Sequence, residues 1–263
     1  MSIHPSAIVD PSAVLEDGVE VGAFSIVEAG VRIGAGTVVG PHSVVGAGTV
    51  MGKNNRLFSG AQIGVLPQDL KQVPGAVGKT VIGDGNVFRE TVTVSSSTVY
   101  ADEAEEKETR IGSHCLFMAC THVAHDCIVG SHVIMANGAV LAGHVTVEDK
   151  AILGGLVGVH QFCTVGRMSF VGGCTRINKD VLPYMINEGN PAKCFGPNSV
   201  GLERNGLDKD AIKRIRTMYK ALYRGTLNTS QALEKIEAEV ADSEEKQVIL
   251  DFVRNSKRGI ISK

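Results

Sequence analysis

Residues 111–146 read IGSHCL FMACTH VAHDCI VGSHVI MANGAV LAGHVT, six hexads whose first place is always a branched or large apolar residue. The phase continues through Val147, Leu153, Val159, Val165 and Val171 to Ile177. An earlier run holds it from Ile3 through Val9, Leu15, Val21, Val27, Ile33, Val39, Val45, Met51 and Leu57 to Ile63. A helix repeats near every 3.6 residues and a flat strand every 2, so neither explains a period of six. A hexapeptide β-helix does. Each hexad is then a short strand and a tight corner, with the apolar first place stacked inward and the small or β-branched fifth place beside it. Three hexads close a triangular coil of roughly eighteen residues, and coils stack at the ~4.8 Å spacing of neighbouring strands. The expected fold is an all-β solenoid, a parallel β-helix of hexapeptide repeats. Such prisms are usually left-handed, against the general preference for right-handed crossovers, and the period alone leaves the hand open.

Two segments leave the grid. The first, Val65 to Thr80, carries Leu66-Pro67-Gln68-Asp69-Leu70-Lys71; the second, Val99 to Arg110, carries the acidic run Asp102-Glu103-Ala104-Glu105-Glu106. Long excursions from a regular scaffold are uncommon unless they bind or assemble something. The alternative for both is a tolerated surface insertion.

After Asn190-Pro191 the hexads stop, which divides the chain into a β-helix domain, residues 1–191, and a C-terminal helical domain, residues 192–263. Leu207 to Arg224 is expected to form an amphipathic helix burying Ile212, Ile215, Met218, Tyr219 and Leu222. Further helices are expected from Asn228-Thr229-Ser230-Gln231, a capping-box pattern, and from Ser243. The first part of this tail is basic, with Arg204, Lys209, Lys213, Arg214, Arg216, Lys220 and Arg224 against Glu203, Asp208 and Asp210. It reads either as a solvated face or as a docking patch for an acidic partner or phosphates.

The net charge of −2 over 263 residues gives no global argument for nucleic acid or an anionic membrane. The start, Met1-Ser2-Ile3-His4-Pro5, lacks a charged region followed by an apolar one, and no apolar stretch approaches a spanning length. A cytoplasmic protein without stable membrane insertion is expected. The six cysteines form no CxxC pair and no disulfide framework. Cys115, Cys127 and Cys163 occupy fifth places and are expected to be small buried thiols.

The densest chemistry is Thr121-His122-Val123-Ala124-His125-Asp126, then Gly143-His144, then His160-Gln161. One coil beyond Asp126 is His144, and one coil beyond His125 is Gly143. These four residues should therefore share a prism edge, off the inward place, with His160 a coil further. A histidine beside a carboxylate suits general base work, because the carboxylate sets its tautomer and stabilises its protonated form. A glycine N–H can approach a developing oxyanion unobstructed. His125 is thus the expected base, Asp126 its orienter and Gly143 the oxyanion donor. Two other readings remain open: histidines that only terminate corners, and a zinc site of His122, His125 and His144 serving a hydratase on the same fold. No serine or cysteine elbow is present to suggest covalent catalysis.

The runs His122-Val123-Ala124-His125-Asp126-Cys127, Leu141-Ala142-Gly143-His144-Val145, Val159-His160-Gln161-Phe162-Cys163 and Pro67-Gln68-Asp69-Leu70-Lys71 resemble the acyl-ACP:UDP-N-acetylglucosamine O-acyltransferases, which open lipid A biosynthesis. The likeness spans essentially the whole chain. It implies a left-handed β-helix with a helical tail, a homotrimer with grooves between neighbouring subunits, and a partner subunit for the first excursion to act with. It implies no metal or other cofactor, and it makes acyl carrier protein and UDP-N-acetylglucosamine the substrates. By the same resemblance His125, Asp126 and Gly143 are catalytic. Asp69 and Lys71 would bind the sugar, His122, Gln161 and Arg204 its phosphates, and Gln68 would be a further substrate-binding residue. His144 and His160 would shape the site and Asn198 would face the nucleotide. Gly173 would leave room for a long 3-hydroxyacyl chain. The sequence departs from the family at Val200, where Glu is frequent, at Asn205, where a second Arg is frequent, and within Ser95-Ser96-Ser97, where a histidine is common. Some relatives acylate a 3-amino UDP-sugar, and no single residue distinguishes the two acceptors here.

Overall fold

The computed structural model describes residues 1–102 and 107–262, so most of the acidic run, Glu103 to Glu106, lies outside the described residues. Most strands are two residues long, the first turned outward and the second inward: Glu20 is exposed and Val21 buried, as are Arg32 and Ile33, and Arg176 and Ile177. Side chains alternate across a strand, so the first place of each hexad points inward, and fifth-place residues such as Val31, Cys115 and Val133 complete the core beside it. The strands make three sheets of eleven, nine and eight members. All pairs are parallel except a terminal hairpin of Met185–Glu188 and Lys193–Pro197, whose second strand belongs to the eleven-stranded sheet.

Register follows the coil. Val21 pairs with Val39, Val27 with Val45 and Leu141 with Val159. Across the excursions, Arg56 pairs with Val38 on one side but Val87 on the other, and Val87 with Leu116. Those steps of 31 and 29 residues, against 18, mean that thirteen and eleven residues are looped out without disturbing the stack.

Inward residues form continuous ladders; Phe88 and Phe117, in consecutive coils, stack with centroids 5.0 Å apart and planes 2° from parallel. The first coil has no neighbour beneath it, so Ile3 is 40% exposed although it keeps the phase. Cys115, Cys127 and Cys163 are buried, and burial raises their thiols to about 11, 12 and 11. Such thiols stay protonated and unreactive near neutrality.

The tail holds α1 (Ser199–Arg204), α2 (Lys209–Tyr223), α3 (Thr229–Glu239) and α4 (Glu244–Asn255). Asp208 and Ser243 cap α2 and α4, and Asn228 with Gln231 forms the expected capping box of α3. The six-residue α1 was not expected, because it is too short to carry a helical period. In α2, Ile212, Ile215, Met218 and Tyr219 are buried as the pattern requires, while Leu222 is only partly covered. The chain end returns to the prism at Asp180, which accepts from the Ser256 hydroxyl (2.6 Å) and the Thr164 N–H (2.7 Å). Part of the basic face is engaged inside the tail: Arg214 pairs with Glu245, Arg216 reaches Ser199, and Arg224 donates to the Tyr219 hydroxyl. No helix among the described residues is long and apolar enough to cross a membrane.

Candidate active site

From Gly18 onward, most corners are two-residue turns whose second residue has left-handed backbone. At one prism edge these residues are Asp126, His144 and Phe162, with φ of 59°, 61° and 64°. The His144 N–H donates to the His125 carbonyl (3.1 Å) and the Phe162 N–H to the Gly143 carbonyl (3.3 Å), so successive corners are fastened vertically. The His144 and Phe162 rings stack at 4.7 Å, and His125 meets His144 edge-on at 5.2 Å. The stacking is that expected from the coil length. Although these residues lie off the inward place, the Asp126 side chain is 3% exposed and that of His125 14%. Thr98 and Tyr100 lie against this edge at Asp126 and His144, and Tyr100 ties Asp69 of the first excursion to it.

The left-handed turn brings adjacent side chains together, and His125 Nδ1 lies 2.7 Å from Asp126 Oδ2. The carboxylate also accepts the Thr98 N–H at Oδ1 (3.3 Å), and the Asp126 N–H donates to the Thr109 hydroxyl (2.8 Å). A carboxylate so fixed selects the Nδ1–H tautomer of His125, leaving Nε2 as the basic nitrogen. Gly143 serves as the floor for that ring. A Cβ there would fall 2.5 Å from Cε1 and 2.6 Å from Nε2 of His125. Its own N–H has no partner among the described residues.

His125 opens on a groove lined also by Gln68, His122, Gly143 and His160, with Val140, Leu141 and Val159 as apolar walls. Its floor is a register column, His122, Val140, Gly158 and Arg176, across three coil steps. His122 Nδ1 lies 2.7 Å from the Thr93 hydroxyl; burial, then the charge of His125, holds this imidazole below its ordinary value. Burial likewise lowers His144, with Asp126 opposing the shift and His125 adding to it. Two of the histidines neighbouring His125 are therefore held toward the neutral form.

The first excursion meets the histidines of its own chain. Asp69 Oδ1 accepts the Lys71 N–H (2.9 Å), and Oδ2 accepts the Tyr100 hydroxyl (3.1 Å), whose oxygen is 3.3 Å from His144 Nε2. The Lys71 N–H, helped by the Tyr100 hydroxyl and opposed by burial, holds Asp69 below the usual carboxylate range. Tyr100 of the second excursion and Thr98 just before it, to neither of which a role was assigned from sequence, also reach this edge. Neither lies in a chemical motif, and only the folded path brings them to Asp126 and Asp69. Arg176 was also missed; its place in the coil register was the available signal.

The remaining expected residues are dispersed. His160 Nδ1 is 3.1 Å from the Gln161 carbonyl, and the Gln161 and Lys71 side chains are exposed. Gly173 lies at the neighbouring prism edge, where a Cβ would stand 3.2 Å from the Gly155 carbonyl. Asn198 caps α1, accepting from the Gly201 N–H (3.2 Å) and donating to the Met168 carbonyl (3.1 Å). Arg204 ends α1, exposed, and Asn205 closes the helix through the Gly201 carbonyl (2.8 Å). Ser95, Ser96 and Ser97 are buried, Ser97 bridging the Lys79 N–H and the Lys107 carbonyl. The three imidazoles expected of a zinc site do not converge. Among the described residues, the trio with ligand atoms within 4.8 Å of one another is His125, Asp126 and His144, without His122.

Comparison with known proteins gives two family matches: bacterial transferase hexapeptide (six repeats) over residues 12–47 and 108–143, and UDP N-acetylglucosamine O-acyltransferase, domain 2, over 180–261. The chain is 43% identical to an acyl-[acyl-carrier-protein]–UDP-N-acetylglucosamine O-acyltransferase of Anaeromyxobacter sp., covering 99% of each. It is 46% identical to that of Halorhodospira halophila, covering 98% of each. A solved UDP-N-acetylglucosamine acyltransferase of Francisella novicida superposes with a TM-score of 0.94 at 36% identity, covering 99% of this chain and 94% of that one. LpxA from Acinetobacter baumannii gives 0.93 at 43%, covering 98% and 99%. The prism shared with these structures is a left-handed parallel β-helix. At such identity over nearly its whole length, the chain belongs to the acyl-ACP–UDP-N-acetylglucosamine O-acyltransferase family.

Proposed function

We propose that this enzyme transfers a 3-hydroxyacyl chain from acyl carrier protein to the 3-hydroxyl of UDP-N-acetylglucosamine, the first step of lipid A biosynthesis. The observation that carries the mechanism is the His125–Asp126 pair at 2.7 Å, opening on a groove beside Gly143. Nε2 of His125 takes the proton of the sugar hydroxyl as that oxygen attacks the thioester carbonyl. The tetrahedral oxyanion is met by the unpaired Gly143 N–H. Collapse breaks the carbon–sulfur bond, and the imidazolium, stabilised by Asp126, returns its proton to the departing thiolate. Every step is acid–base chemistry at one imidazole and needs no cofactor.

In this reading Gln68, Asp69 and Lys71 bind the sugar, His122, Gln161 and Arg204 the phosphates, and Asn198 the nucleotide. His144 and His160 shape the groove. Gly173, at the next edge, admits a long acyl chain, so Gly173→Met shortens the chain preferred. The working assembly is a homotrimer in the cytoplasm. Residues 1–191 carry the chemistry, and 192–263 offer Lys209, Lys213 and Lys220 to the acidic carrier protein, an attraction that acts mainly on encounter rate.

Incubating purified protein with 3-hydroxyacyl carrier protein and UDP-N-acetylglucosamine, with and without chelator, tests this directly. An ester at the sugar 3-position, formed equally in both, is the expected product. Activity confined to the 3-amino analogue, or abolished by chelator, would overturn it. Light scattering in solution checks the trimer.

A further inference from the structure

Tyr100 stands where three parts of the molecule meet. Its hydroxyl carries one proton and donates it to Asp69 Oδ2 at 3.1 Å; the oxygen then accepts from His144 Nε2 at 3.3 Å. That acceptance selects the Nε2–H tautomer of His144, whose N–H also faces Asp126 Oδ2, 3.7 Å away. The chain runs Asp69, Tyr100, His144, Asp126, His125, from the first excursion to the basic imidazole.

The phenol is itself held. Val99 accepts the Val73 N–H at 3.0 Å and donates its own to Gln72 Oε1 at 2.9 Å. Thr98 donates to Asp126, and the Lys107 ammonium lies 4.9 Å from the Tyr100 ring centroid. Burial raises the phenol to about 12, so it remains a donor throughout the neutral range. A group with both its backbone and its ring fixed can fix its partners in turn.

We propose that Tyr100 is a positioning residue of the acyltransfer site: its hydroxyl fastens the sugar-binding excursion, through Asp69, to His144 on the catalytic edge. This rests on the function proposed above, in which Asp69 holds the sugar. With Oδ1 set by Lys71 and Oδ2 by Tyr100, the carboxylate presents its remaining lone pairs to sugar hydroxyls in one orientation. The acyl chain and its carrier do not depend on that orientation.

Tyr100→Phe removes the hydroxyl and keeps the ring. The KM for UDP-N-acetylglucosamine is expected to rise about tenfold, the effect of one hydrogen bond to a charged acceptor. The KM for acyl carrier protein and kcat should each move less than about threefold, and the loss should be strongly non-additive with Asp69→Asn. Should Y100F fail to fold, Tyr100→Ser severs the same bonds and carries the same expectation. An unchanged sugar-nucleotide KM, equal changes for both substrates, or additive losses would overturn the inference. Wild-type protein inactive in the same assay would instead refute the proposed function.

Discussion

The imidazole of His125 occupies the space into which a side chain on Gly143 would project, one coil away. Its Nε2 is 2.6 Å from where that Cβ would be, so even a methyl group must push the ring off Asp126 or cover the basic nitrogen. Gly143→Ala is therefore expected to lower kcat at least about tenfold and to destabilise the fold by about 1–3 kcal/mol through overpacking. Steady-state kinetics and urea unfolding measure the two effects separately.

Removing the imidazole leaves the groove and its N–H donor in place. His125→Ala should reduce kcat by about 10²–10⁴, the range for a positioned general base, with little change in either KM. A correctly folded variant of near-wild-type activity would sink the mechanism.

Asp126 has two duties, orienting His125 and adopting a left-handed corner with φ of 59°. Asn tolerates that backbone well, whereas Ala does not. Asp126→Asn should keep most of the stability yet lose about 10²-fold in kcat, because the imidazolium formed in the reaction has no counter-charge. Asp126→Ala should lose both, and comparing melting temperatures with kcat separates the duties.

His122 and His144 are both held below the ordinary histidine value of 6.5, chiefly by burial. Between the folded and unfolded values such an imidazole binds a proton only in the unfolded chain. Stability is therefore full above pH 6.5 and falls as pH drops below it. The urea midpoint should decline from about pH 7.5 to about pH 5.5. His122→Gln should flatten that slope; an identical slope would show that these groups do not carry it.

The prism edge was legible because a fixed coil length converts sequence distance into vertical distance. Eighteen residues place His144 against His125 and Asp126 whatever the side chains are, since backbone pairing sets the spacing. The capped helices of the tail were legible for a similar local reason: Asn228 with Gln231 and Ser243 satisfy N–H groups only three residues away. Local rules end at the excursions. Nothing in the order Thr98-Val99-Tyr100 announces a contact with Asp69, 31 residues earlier, or with His144, 44 residues later.

The sequence by itself determined the solenoid, the shared edge of His125, Asp126, Gly143 and His144, and, through its motifs, the family. Only the tertiary structure decided how buried that edge is, which histidines stay neutral, and that Tyr100 joins Asp69 of the first excursion to His144. The reason is physical. A repeat fixes backbone position by periodicity, but desolvation and side-chain hydrogen bonds depend on what folds over that backbone, and two irregular loops obey no period.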